Sequence, residues 1–206
     1  MERKKVGILV FPDVEVLDFA GPFEVFSATR LNEESRYSES SPFEVFLIAE
    51  RVEPILAAGG LRLLPDRSIA DCPHLDILVV PGGWGTRTQV NNPGLIDWIR
   101  DQGTRVGTLA SVCTGSFLLG KAGLLDRRRA TTHWRSLDRL AESFPSITVV
   151  RDLHVVEEEN VLTSAGISAG IDMALRVVAR HCGESVARAT ARHMEYVYPE
   201  TNARRI

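Results

Sequence analysis

The sequence has no long hydrophobic run. Its first apolar stretch, Val6–Phe11, is much shorter than the roughly 20 residues that cross a membrane. The same stretch is too short for the apolar part of a secretory leader. We therefore expect a cytoplasmic protein with no membrane partner.

Neither sign of charge dominates. The 206 residues include 24 basic and 27 acidic side chains, and 44% of the chain is hydrophobic. These are ordinary values for a soluble globular protein. Without a basic excess we expect no nucleic-acid partner for this chain alone, and we interpret Arg127–Arg129 and Arg204-Arg205 as solvent-exposed clusters.

Cysteine is scarce and widely spaced. The three cysteines, Cys72, Cys113 and Cys182, form no pair with metal-binding spacing and no disulfide framework. We expect reduced thiols and neither a metal nor an organic cofactor. Cys72 and Cys182 are interpreted as small packing residues, which is the common role of a free cysteine.

Strands and helices alternate along the chain. Apolar runs predict strands, and apolar residues at helical spacing predict helices. The predicted strands include 4–11, 43–49, 76–80 and 130–134, with a hairpin at 54–64, and the predicted helices include 14–29 with an interruption at Gly21-Pro22, 136–144, 168–182 and 184–196. No linker or repeat divides the chain. The pattern predicts one doubly wound α/β domain over residues 1–206, with a mostly parallel sheet covered by helices on both faces.

Cys113 stands where one predicted strand turns into a helix. Ser111 and Gly115, two positions on either side, are small enough for the sharp strand–helix turn called a nucleophile elbow. There the thiol faces the unpaired amides of a helix N-terminus, which favour the thiolate. We therefore predict that Cys113 is a nucleophile.

Two other loops follow predicted strands and should meet Cys113 at the carboxyl edge of the sheet, where active sites of this architecture lie. One is the glycine-rich turn Pro81–Gly85. The amides of Gly82 and Gly83, together with that of Thr114, could hold a developing negative charge. A tight turn without a ligand would also explain these glycines, and on the motif alone it is the simpler explanation.

The other loop contains Asp18 between the apolar residues Leu17 and Phe19. A partly buried carboxyl there could have a raised pKa and pass a proton to a thiolate. An aspartate near the start of a helix can equally be an N-cap. The residues alone leave both interpretations open.

Histidine is the usual partner of a cysteine nucleophile, but Thr114 occupies the position directly after Cys113. His133 lies near the end of the next predicted strand, where a core or supporting role is favoured over direct contact with the site. His193 and Glu195 form a His-x-Glu sequence within a predicted helix, which we interpret as a coincidence.

Several short motifs, taken in order, resemble those of the PfpI/ThiJ superfamily: Val79–Gly83, Ala110–Gly115, Ala130–Trp134 and Thr163–Gly166. Phe11-Pro12, Leu17-Asp18 and Gly21-Pro22, combined with the Cys-Thr-Gly elbow, are similar to the isonitrile hydratase branch. The resemblance implies a flavodoxin-like sandwich and a homodimer. It also implies hydration of isonitriles to N-substituted formamides by a cysteine nucleophile, with an aspartate at the position of Asp18.

The leading hypothesis is therefore an isonitrile hydratase-like lyase acting on a small molecule. Cys113 would attack, Asp18 would serve as the acid or base, and Thr114, Gly82 and Gly83 would bind the substrate or intermediate. The same motifs also occur in the sensor half of AraC-type transcription regulators, so a non-catalytic small-molecule or redox sensor is the main alternative. An amidase-type hydrolase is less favoured because those branches commonly carry a histidine where this chain has Thr114.

Overall fold

A seven-stranded sheet forms the centre of the structure, a computed structural model that describes residues 2–205. The strands, numbered along the chain, are β1 (Lys4–Leu9), β2 (Phe43–Ala49), β3 (Ile55–Leu56), β4 (Arg62–Leu63), β5 (Arg67–Ser68), β6 (Ile77–Val80), β7 (Thr108–Val112), β8 (Arg129–Ala130), β9 (Thr148–Val149), β10 (Val155–Glu158) and β11 (Val161–Ser164). The central sheet has the order β10-β11-β7-β6-β1-β2-β5. All of its neighbours are parallel except the edge pair β10 and β11. The predicted mostly parallel sheet is confirmed.

Helices cover this sheet in two layers. They are α1 (Val16–Ala28), α2 (Thr86–Gln89), α3 (Pro93–Arg105), α4 (Gly115–Lys121), α5 (Leu137–Ser143), α6 (Ala169–Cys182) and α7 (Glu184–His193). Helices α1, α6 and α7 pack together, and α3 packs on α4. Strands β6 and β7 are buried along their whole length. Their sequences are therefore continuous apolar runs rather than alternating patterns, as expected for central parallel strands.

Local structure departs from the sequence expectations in two places. The predicted interruption at Gly21-Pro22 is wrong, because α1 runs through Pro22 without a break. A proline at this point removes only the single hydrogen bond that its N–H would have donated one turn back. The predicted strand at 130–134 is also too long: β8 ends at Ala130, and a 3₁₀ turn begins at Trp134.

The topology brings three loops together. Strands β7, β6 and β1 are neighbours, so the segments that follow their carboxyl ends lie side by side. The first two loops along the chain interlock: Val14 forms an isolated bridge with Gly83, and the Glu15 amide donates to the Gly82 carbonyl at 3.0 Å. Among residues 2–205, no helix combines the length and apolar character needed to span a bilayer.

Candidate active site

Cys113 occupies a strained turn between β7 and α4. Its φ is 55°, in the left-handed region, which costs a residue with a side chain about 1–3 kcal/mol. Hydrogen bonds hold the turn on both sides. The Cys113 amide donates to the carbonyls of Ser164 (3.2 Å) and Ala165 (3.1 Å), and its carbonyl accepts from the Thr132 hydroxyl (2.8 Å). The surrounding structure therefore fixes the direction in which the thiol points.

Close backbone contacts explain why the elbow needs small residues. A Cβ at Gly115 would lie 2.0 Å from the Val80 carbonyl oxygen, so α4 could not start beside β6 with any larger residue. A Cβ at Gly82 would lie 2.5 Å from the Thr114 amide nitrogen. The glycine-rich turn and the cysteine elbow are therefore in direct contact, as expected from the order of the strands.

Asp18 is fully buried in the first turn of α1, and the N-cap of that helix is Glu15. The N-cap interpretation of Asp18 is therefore wrong. Its Oδ2 accepts the Gly82 amide at 2.9 Å, whereas its Oδ1 is buried without a hydrogen-bond partner among residues 2–205. Burial raises the pKa of Asp18 to about 8, and the charge of Glu15 acts in the same direction, while the Gly82 amide and a hydrogen bond with the Cys113 side chain oppose it. The carboxyl is therefore protonated at neutral pH, and Oδ1 is free to carry the proton.

The Cys113 thiol is also buried, with 6% of the residue exposed. Burial raises the pKa of Cys113 above its usual range, and a negative charge on Asp18 raises it further, while hydrogen bonds from Thr114 lower it. The expectation that the helix N-terminus would favour the thiolate is thus wrong for this environment, because the loss of solvation outweighs a helix of only seven residues. Protonation of Asp18 removes the opposing charge, so Cys113 ionises more easily while Asp18 is neutral.

The glycine amides have partners of their own. The Gly82 amide donates to Asp18, and the Gly83 amide donates to the Thr114 hydroxyl oxygen at 3.0 Å. The predicted use of these two amides to hold a developing charge needs correction, since each is already engaged. The Thr114 amide instead faces the Cys113 sulfur, where it lowers the pKa of the thiol. Gly82 therefore positions Asp18, and Gly83 positions Thr114 at the elbow.

His133 packs against Gly166 rather than hydrogen-bonding to the thiol, and its Nδ1 accepts the Arg135 amide at 3.3 Å. Burial lowers the pKa of His133, and the positive charges of Arg135 and Arg204 lower it further, so the imidazole is neutral at pH 7. The neighbouring Thr132 is the residue of this motif that contacts Cys113.

Two hydroxyl residues were not singled out from the sequence. Besides Thr132, Thr86 donates from its hydroxyl to the Gly83 carbonyl at 2.8 Å and to the Thr114 hydroxyl oxygen at 3.2 Å. Their only signal in the sequence is their position within or just after the motifs. Both side chains are buried, and their burial, which only the structure shows, marks their hydroxyl groups as part of the site.

The other two cysteines have different surroundings. Cys72 and Cys182 are half-buried, and burial raises the pKa of both, that of Cys72 to about 11. Neither stands at a strand–helix elbow. In the part of the chain from residue 2 to 205, no three His, Cys, Asp or Glu side chains come together as a possible metal site.

The sheet is mostly parallel, and after one of its strands a cysteine stands in a left-handed turn. A buried carboxyl from the first helix lies beside this cysteine. These features define an α/β protein with a cysteine at a nucleophile elbow. The sequence pattern of the DJ-1/PfpI family matches residues 4–180, and the chain belongs to this family.

The similar proteins include an enzyme and a transcriptional regulator. The chain is 36% identical over 194 residues to isonitrile hydratase from Pseudomonas putida, a match that covers 93% of this chain and 78% of the hydratase. It is also 36% identical over 134 residues to the HTH-type transcriptional regulator CdhR from Pseudomonas aeruginosa. That match covers 65% of this chain but only 39% of the regulator.

Solved structures agree with the fold. A ThiJ/PfpI family protein from Pseudomonas syringae superposes with a TM-score of 0.83 at 30% identity, covering 98% of this chain and 79% of that protein. DJ-1beta from Drosophila melanogaster superposes with a TM-score of 0.80 over 95% of this chain and 100% of its own. At 21% identity the second likeness concerns the fold alone.

Proposed function

We propose that this protein is an enzyme that hydrates isonitriles to N-substituted formamides. The observation that carries the proposal is the hydrogen bond between Cys113 and the buried carboxyl of Asp18, whose pKa is raised to about 8. This arrangement holds a proton beside a nucleophile at neutral pH. The similarity to isonitrile hydratase over 93% of the chain supports the choice of reaction.

The first step joins the Cys113 sulfur to the terminal carbon of the isonitrile. As this bond forms, the carbon takes a proton from Asp18, Asp18 takes the proton that the Cys113 thiol gives up, and the product is a neutral thioimidate with a C=N double bond. Asp18 carries a negative charge only during this transfer and ends the step protonated beside the covalent intermediate. The Gly82 amide, 2.9 Å from Oδ2, stabilises that charge.

The second step adds water to the thioimidate carbon. One water proton finishes on the substrate nitrogen and the other, passed on by Asp18, finishes on the sulfur, while the oxygen becomes the formyl oxygen. The carbon–sulfur bond breaks, and the Cys113 thiol and the protonated acid are both restored. The sum is one isonitrile and one water converted into one formamide, with no redox change.

The remaining residues act by position. The Thr114 amide, which faces the sulfur, stabilises the negative charge that develops on it during attack and collapse. Thr132 fixes the carbonyl of Cys113, and neutral His133 lies behind the elbow. On the same resemblance we propose a cytoplasmic homodimer formed by a single domain over residues 1–206, acting on a small-molecule substrate.

A variant pair tests the role of Cys113. The protein is incubated with a simple alkyl isonitrile, and formamide is measured by chromatography. We expect turnover by the unaltered chain and by Cys182→Ala, and a loss of about a thousandfold or more in Cys113→Ala. No formamide from the unaltered protein, or equal turnover by Cys113→Ala, would sink the proposal.

A sensor without turnover is the second candidate, favoured by the matches to the regulators CdhR and GbdR. The buried thiol suits small-molecule sensing better than oxidant sensing, because redox-sensing cysteines are exposed and have a low pKa. Mass spectrometry after mild peroxide separates the two functions. In a protein that yields no formamide, selective oxidation of Cys113 would indicate an oxidant sensor, and a Cys113 that resists peroxide would leave the small-molecule sensor.

A further inference from the structure

A cavity of about 460 Å³ lies between α2, α4 and α5. Its walls combine three basic side chains with three apolar ones: Arg87, Lys121, Arg139, Val90, Phe117 and Phe144. None of the lining residues is acidic. We call this cavity the cationic cleft.

The positive charge of the cationic cleft is not neutralised within the described part of the chain. Among residues 2–205, no carboxylate lies within ion-pair distance of Arg87, Lys121 or Arg139. Other arginines of the protein do form ion pairs, for example Arg176 with Glu157 at 3.0 Å. In the cleft, no nearby carboxylate offsets the positive charge.

Stacking holds the two guanidinium groups in place. Arg139 lies 4.3 Å from the centre of the Phe117 ring, and Arg87 lies 3.7 Å from that of Trp84. Stacking on a ring face leaves the N–H edges of a guanidinium free to donate. The Nε of Arg139 is buried and donates to no acceptor among the residues described, which leaves a polar group unsatisfied.

Arg87 and Arg139 also repel each other. Burial lowers the pKa of Arg139, and the charge of Arg87 lowers it further. A negatively charged group between them would offset this repulsion. Arginine binds carboxylate and phosphate by paired hydrogen bonds, which fits this geometry.

We propose that the cationic cleft binds a small organic anion, namely a carboxylate or phosphate carried on an apolar or aromatic body. The arginines and Lys121 would hold the anionic group, and Val90, Phe117 and Phe144 would contact the apolar part. The volume lies within the range of small-molecule sites.

The cleft is separate from the proposed active site but linked to it. Cys113 and Asp18 do not line it, and a neutral isonitrile offers it no charge. Thr86 does line it, and the Thr86 hydroxyl donates to Gly83 and Thr114 at the elbow. An anion in the cleft therefore lies next to the residues that position the nucleophile, whatever reaction that nucleophile performs.

Titration calorimetry of the full chain with phenylphosphate tests this proposal. We expect saturable binding to one site, weakened about tenfold or more in Arg139→Gln and in Arg87→Gln. Arg62→Gln, which changes an exposed arginine on β4, is the matched control and should bind as the unaltered chain does. Cys113→Ser should also keep its affinity, which places the ligand outside the elbow. Phenol, the neutral analogue, should bind about tenfold more weakly or worse.

Several results would overturn the proposal. These are no saturable binding up to about 10 mM, equal affinities in all the arginine variants, equal binding of phenol, or loss of binding in Cys113→Ser. Arg139 is partly buried, so its variant could fold poorly. Arg87→Gln and Lys121→Gln change exposed side chains, and each must weaken binding in a chain whose thermal unfolding is unchanged.

Discussion

The cysteine elbow and the cationic cleft share Thr86 and helix α4, yet the ionisable groups of the two regions have opposite surroundings. At the elbow, burial keeps both Asp18 and Cys113 neutral, and hydrogen bonds fix the groups around them. In the cleft, the guanidinium groups of Arg87 and Arg139 meet no carboxylate among residues 2–205. The first arrangement suits proton transfer within the protein, and the second suits binding of a charged molecule from solution.

The largest expected effect comes from separating the loops at the elbow. In Gly82→Ala the new Cβ would meet the Thr114 amide nitrogen at 2.5 Å and Asp18 Oδ2 at 2.9 Å. Because backbone must move, we expect kcat/KM for formamide formation to fall about a thousandfold. Phenylphosphate affinity should change far less, which would separate the two regions.

Gly94→Ala is the control for that change, since a Cβ at Gly94 has only one neighbour, at 3.7 Å. Its activity should match that of the unaltered chain. Normal activity in Gly82→Ala would mean that the contact between the turn and the elbow does not matter for catalysis.

The neutral state of Asp18 predicts an unusual dependence of stability on pH. The folded chain holds a proton that the unfolded chain has lost between pH 3.8 and about 8, so this group makes the free energy of unfolding fall as pH rises. Asp18→Asn removes this effect and should gain about 5 kcal/mol over the unaltered protein at pH 8, and less than about 1 kcal/mol near pH 4. Urea unfolding at several pH values measures it.

Glu24→Gln, an exposed change on the same helix, is the matched variant for this experiment. It should follow the unaltered chain at every pH. If Asp18→Asn gives the same curve as Glu24→Gln, the buried carboxyl is not held neutral, and the contrast with the cleft disappears.

Thr86→Val tests the link between the regions. The change removes a hydroxyl that donates to Gly83 and Thr114, and we expect a loss of about 1–2 kcal/mol in the free energy of unfolding. Catalysis should weaken with it, while the affinity for phenylphosphate stays within about twofold. Thr88→Val, an exposed change on α2, should leave both the free energy of unfolding and catalysis unchanged. Equal effects of Thr86→Val and Thr88→Val would show that Thr86 does not connect the elbow with the cationic cleft.

The smallest effect concerns communication from the cleft to the thiol. An anion bound there adds negative charge near the elbow, which disfavours the thiolate, so alkylation of Cys113 by iodoacetamide should slow by about twofold. The rate is followed by intact mass, with sodium chloride matched for ionic strength as the control. A slowing that persists in Arg139→Gln would contradict a route through the cleft.

Much of the architecture follows from local sequence patterns. The alternation of apolar strands with amphipathic helices predicts the mostly parallel sheet, and the small residues around Cys113 predict the elbow. The proximity of Asp18 to that elbow follows from the rule that loops meet at the carboxyl edge. All of these features depend on near neighbours along the chain or on a general rule of topology.

Features that depend on three-dimensional burial were missed or mistaken. The direction of the pKa shift of Cys113 and the engagement of the Gly82 and Gly83 amides both result from contacts across loops. The cationic cleft combines residues that are more than fifty positions apart, Arg87 and Arg139, and one of its walls is a four-residue helix with no periodic signal.

The central claim is that protonated Asp18 serves Cys113 as its acid. The most direct test is the pH profile of kcat/KM for formamide formation by the unaltered protein and by Asp18→Asn. Activity of the unaltered protein should fall as pH rises through about 8, because the proton of Asp18 is lost there. Asp18→Asn should be about a hundredfold less active at pH 7 and lack that fall. Equal activity of the two proteins at pH 7, with the same profile, would contradict the account.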